Sequence, residues 1–155
     1  MHQKRMDPTD QTLERFIREW AALHDSLGFE IVIEPETKGG PTSFYIRPAN
    51  PKSATARLWV GDDGASVSFS VGSSGLWWDR EIPLLSVSVQ NLLDTVAAGH
   101  VEEQIRKVFG RVVALRGTVG VAGINRHKYG QLSPFAILPG LAWETISYQP
   151  YNLCT

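Results

Sequence analysis

ARLWVGDDGASVSFSV, residues 56–71, is the stretch on which the fold turns. Arg57 and Trp59 alternate with Leu58 and Val60, and Ser66, Ser68 and Ser70 alternate with Val67, Phe69 and Val71. A period of two places successive side chains on opposite faces of a strand. Gly61-Asp62-Asp63-Gly64 between the two runs is strong turn chemistry. The reading is an antiparallel hairpin with one apolar face toward a core and one serine-lined face toward water.

Working outward, residues 29–34 put Phe29, Ile31 and Ile33 on one face, and residues 42–47 put Phe44 and Ile46 on one face. Pro35 and Lys38-Gly39-Gly40-Pro41 supply the turn between them. Residues 76–82 read as a further strand closed by Pro83.

Helices flank this set. Leu13, Phe16, Ile17, Trp20, Leu23 and Leu27 recur at spacings of three and four, which marks an amphipathic helix over about 8–27. Asp7 is its expected N-cap, Pro8 suits the first turn and Gly28 is the expected stop. A second helix begins near Ser88 with the stripe Val89, Leu92, Leu93, Val96 and Ala97. Gly99 is a natural stop for it, followed by strands at about 101–109 and 111–122 with Gly110 in the turn. A helix running on to 109 is the alternative, because Val101, Ile105, Val108 and Phe109 weakly continue the period. Residues 123–131 read as a polar loop and 141–148 as a last edge strand. The order gives an α+β class: a mostly antiparallel sheet with one face covered by two helices, in a single domain spanning 1–155.

Composition narrows the function classes. The 155 residues carry a formal net charge of −1, which disfavours a dedicated nucleic-acid binder. Residues 1–99 sum to −4 and residues 100–155 to +3, so two faces of opposite potential are one reading. Cys154 is the single cysteine, which fits a reducing compartment and hence the cytoplasm. No apolar run approaches the ~18–20 residues that span a bilayer, and the basic start lacks the apolar core of a signal peptide. No membrane partner is expected.

Catalytic and cofactor motifs fail on spacing. His2, His24, His100 and His127 form no metal-ligand pattern. Gly72-Ser73-Ser74-Gly75 is not a nucleophile elbow, and Gly117 to Gly123 is neither a dinucleotide nor a phosphate loop but a strand with close backbone approach. Asp79 and Glu81 share a strand face, with Arg80 on the other, and a solvated face is the simpler reading. No cofactor or metal is expected.

Trp77-Trp78 is the most unusual local feature, since strand neighbours point apart and only one ring can enter the main core. Together with Arg80, and with Arg126 and Tyr129 in a basic loop, these tryptophans are the candidate binding residues. The favoured expectation is a non-enzymatic protein-binding module, adaptor-like or immunity-like by fold-class analogy alone. A small-molecule domain with a pocket lined by Trp59, Trp77, Trp78, Asp79 and Glu81 is the alternative. Weak nucleic-acid association through Arg106, Lys107, Arg111, Arg116, Arg126 and Lys128 is the third.

Overall fold

The quoted hairpin forms the centre of a five-stranded antiparallel sheet in the computed structural model. The model describes residues 8–35, 37, 41–61, 64–72, 80–83, 87–120, 127–132 and 139–152. The sheet order is β1 (Phe29–Glu34), β2 (Ser43–Pro48), β3 (Ala56–Val60), β4 (Ser66–Val71) and β5 (Arg80–Pro83), each strand beside its sequence neighbour. Leu58 pairs with Phe69 and Val60 with Val67, so the apolar halves of the alternation face one way. Phe44, Ile46, Leu58, Val67 and Phe69 are all fully buried on that face.

The amphipathic stripe becomes helix α1 (Pro8–Leu23), which buries Leu13, Ile17 and Trp20 and lies against β3. It is shorter than its apolar period suggests. His24 leaves helical geometry and hydrogen-bonds the Trp20 carbonyl through its ring at 2.8 Å; a 3-10 turn over Asp25–Leu27 then leads to Gly28 at φ 66°. Leu23, part of the predicted stripe, is the last residue of the helix and is 77% exposed. The expected cap at Asp7 lies outside the described residues.

Helix α2 (Val87–Ala97) stops as expected before Gly99, whose φ is 80°. Residues 101–108 are therefore strand, not a continued helix, and Phe109 joins Gly110 in the turn. A second antiparallel sheet follows, ordered β8-β7-β6-β9 from β6 (Val101–Val108), β7 (Arg111–Val119), β8 (His127–Leu132) and β9 (Glu144–Ser147). The α+β class stands, with its strands divided between two sheets. Residues 127–132 are a strand and not the expected loop, because β7 offers them a free edge to pair with. The last strand lies where expected, at the edge beside β6.

A bulge where Arg106 and Lys107 meet β7 leaves Val113 between two pairing positions. Such an insertion leaves the extra residue unpaired and bends the strand; here Val112 packs on the main core, while Val113 is buried outside that cluster. α2 touches both β5 and β7, and one continuous apolar cluster joins both helices and both sheets. Between the helices, Trp20 Nε1 donates to Asp94 Oδ1 at 2.8 Å, while the His24 ring stacks on Trp20 at 4.6 Å and brings Nε2 within 3.3 Å of the same oxygen. His24 thus serves packing.

The chain end closes the structure. Tyr148 N donates to Val101 O, Gln149 N to Lys52 O and Tyr151 N to Ala97 O. Ser53 Oγ donates to Pro150 O at 3.0 Å and Tyr151 Oη to Ala54 O at 2.8 Å. Residues 148–151 thereby tie the β2–β3 connection to the end of α2 and to the second sheet.

Candidate functional site

The serine-bearing face of the first sheet is not the wet surface its alternation suggests. Ser66, Ser68 and Ser70 are all buried, and Ser70, at 0% exposure, has an Oγ without a hydrogen-bond partner among the described residues. Polarity fixed their face but not what shields them. Serine is short, and in register it stands beside larger residues: Ser70 pairs with Arg57 and Ser68 with Trp59.

Those larger residues form a ladder. Arg57 and Tyr45 face each other across β2 and β3. The Arg57 guanidinium lies 4.4 Å from the Trp59 ring centre and 5.7 Å from that of Tyr45. Its Nε and Nη2 both donate to Ser43 Oγ, at 3.1 and 2.9 Å. Arg47 covers Tyr45 at 5.2 Å and pairs with Glu34 at 3.7 Å. Burial pushes the Tyr45 phenol above its usual value; its hydrogen bond to Glu34 adds to this, while Arg57 and Arg47 oppose it. Guanidinium stacked on indole and phenol rings is a favourable contact that also fixes side-chain geometry. Tyr45, Arg57 and Trp59 are each only half-buried, so this ordered group is open to solvent in part.

The second sheet carries a parallel arrangement. Arg106 and Arg116 lie 4.4 and 4.2 Å from the ring centre of Trp143, ahead of β9. Arg116 Nε donates to Gln104 Oε1 at 2.6 Å, and Lys107 pairs with Glu144 at 3.4 Å.

A cleft of ≈ 260 Å³ opens at the end of this sheet beside Gly99, Gly120, His100, Glu102, Thr118, Ser147 and Tyr148. It gathers a serine, a histidine and a carboxylate, the residue types of a nucleophilic triad. Nucleophile, base and orienter must be joined by hydrogen bonds. No side-chain hydrogen bond joins His100 to Glu102 or Ser147 among the described residues. Behind the cleft, Glu103 is buried at 0% exposure and accepts a hydrogen bond from Tyr148 Oη at 2.6 Å. No group of metal-ligating side chains occurs among the described residues.

Of the candidates read from sequence, Trp77, Trp78, Asp79 and Arg126 lie outside the described residues. Arg80 lies on β5 in register with Phe69, and Tyr129 on β8 in register with Gly117, so the two belong to different sheets. The ladder contains two residues the sequence had already set on one face, Arg57 and Trp59. Trp143 and Glu103 went unread. For Glu103 a signal existed: it falls at period two between Val101 and Ile105, on the apolar face. No protein-family model, curated protein or solved structure matches the chain.

Proposed function

We propose that the chain is a non-enzymatic protein-binding module that meets its partner with the part-open Tyr45, Arg57 and Trp59 ladder on the serine-bearing face of the five-stranded sheet. One observation carries this reading: Arg57 is held by Ser43 against Trp59 and Tyr45 on a face that stays partly open. Tryptophan, tyrosine and arginine dominate the few residues that supply most interface energy. Here their side-chain entropy is largely spent before any partner arrives, which favours tight association. The arginines select a partner that presents carboxylates. The single cysteine suits work in the cytoplasm, and an adaptor-like or immunity-like role fits this description.

The test is a pull-down of the tagged chain from lysate of its source, with nuclease treatment, beside Trp59→Ala and Arg57→Lys. A stoichiometric protein partner is expected for the parent chain. Capture should fall about tenfold or more for Trp59→Ala, as for an interface anchor, with circular dichroism unchanged. Equal capture by both variants, or no partner at all, rejects the reading.

A further inference from the structure

The tip of the β6–β7 hairpin carries two costs that folding does not require. Phe109 and Gly110 form a two-residue turn between the paired Val108 and Arg111, with φ of 49° and 77°. Glycine meets a positive φ freely and asparagine at small cost, whereas a bulky aromatic is strained there. The Phe109 ring recovers nothing by packing, being fully exposed at 102%. A strained, solvated aromatic at a fixed tip is the kind of outlier from which function is inferred.

The charge around it has one sign. Residues 104–116 contain Arg106, Lys107, Arg111 and Arg116 and no carboxylate. Lys107 and Arg111 are exposed, one on each strand: Arg111 flanks the turn in register with Val108, and Lys107 stands one step behind in register with Val112, both valines being half-buried. Glu144, paired with Lys107 at 3.4 Å, is the carboxylate that reaches this group among the described residues. Farther back, half-buried Trp143 rests against Arg106 and Arg116.

We propose that this hairpin tip docks on an anionic lipid bilayer, with the Phe109 ring below the headgroups and Lys107 and Arg111 at phosphate level. The order from the tip inward is apolar ring, then cations, which matches the depth order of a bilayer interface from hydrocarbon to anionic headgroup. A convex tip with one ring offers far less area than a specific protein interface buries. One inserted ring with several cations is enough for reversible surface binding. Such a contact needs no spanning helix, and none of the helices described is long and apolar enough to cross a membrane. It lies on the other sheet from the Arg57 ladder and does not depend on that reading.

Co-sedimentation of the full chain with vesicles of phosphatidylcholine, with and without phosphatidylserine, tests the proposal. The chain should partition onto the phosphatidylserine vesicles alone, and less so as salt rises. Arg111→Gln should lower partitioning about fivefold and Phe109→Asn about tenfold or more. Asparagine suits the turn, so the unfolding midpoint of F109N should hold or rise, which separates lost docking from lost folding. Three outcomes overturn the proposal: no partitioning onto phosphatidylserine vesicles, equal partitioning by F109N, or binding to mixed-sequence duplex DNA with none to vesicles.

Discussion

The Glu103 carboxylate, on β6 of one sheet, fills the space beside Gly72, at the end of β4 of the other, so that a Cβ on residue 72 would collide with all three carboxyl atoms. Gly72 also has φ 104°, a conformation open to glycine and strained for other residues. Gly72→Ala should therefore destabilise the fold by about 3 kcal/mol, from backbone strain and overpacking together. A lowered urea midpoint at unchanged slope is the expected result.

Tyr148 approaches the same carboxylate from the far side. Its hydroxyl donates to Glu103 Oε2 at 2.6 Å with both residues buried. Tyr148→Phe removes one of the hydrogen bonds to a buried acceptor, a loss of about 1–3 kcal/mol. Thermal unfolding of the two proteins at neutral pH measures it.

Alkaline stability depends on Tyr151. Its phenol is buried and pushed well above its ordinary value by that burial. In the unfolded chain a tyrosine releases its proton near pH 10, while the folded chain still holds it. The stability this represents is whole below about pH 10 and falls as pH rises beyond it. Tyr45 shifts in the same direction. Tyr151→Phe should cost about 1 kcal/mol at neutral pH, through the lost bond to Ala54 O, yet show a shallower alkaline decline. Urea titrations from pH 8 to 11 compare the two slopes.

Trp20 and Asp94 fasten the two helices together. Trp20→Phe keeps a ring in the core but removes the donor and shrinks the surface stacked on His24. A loss of about 2 kcal/mol is expected from the hydrogen bond and the reduced packing. Asp94→Ala should approach that figure, since it strands the indole N–H, and the double variant should fall short of the sum.

Period alone revealed much of this architecture. The stripe from Leu13 to Trp20 and the alternation from Arg57 to Val71 report directly which side of an element meets apolar surroundings. Periodicity cannot report what lies on the other side. Ser66, Ser68 and Ser70 read as wet because they are polar, yet all three are buried. The division into two sheets was equally hidden, because pairing between distant segments leaves no local mark. β8 has weak strand character of its own and gains it from the edge of β7. Phe109 illustrates the opposite case: its backbone strain is invisible until the turn is seen to end at Val108 and Arg111.

The strap formed by residues 148–151 sets an order of events during synthesis. Its hydrogen bonds reach back 97 positions, from Pro150 to Ser53 and from Tyr151 to Ala54, and 99 from Gln149 to Asn50. A chain emerging from the ribosome exposes the first sheet and its Asn50–Ala54 connection long before this segment is made. Until then the Asn50 amide nitrogen, the Ser53 hydroxyl and the Ala54 carbonyl lack the partners that this segment supplies. The closing contacts also span some of the longest loops in the molecule, the kind that slow folding most. Until residues 148–151 are made, the seam at Asn50–Ala54 stays open and offers a nascent-chain chaperone surface to hold.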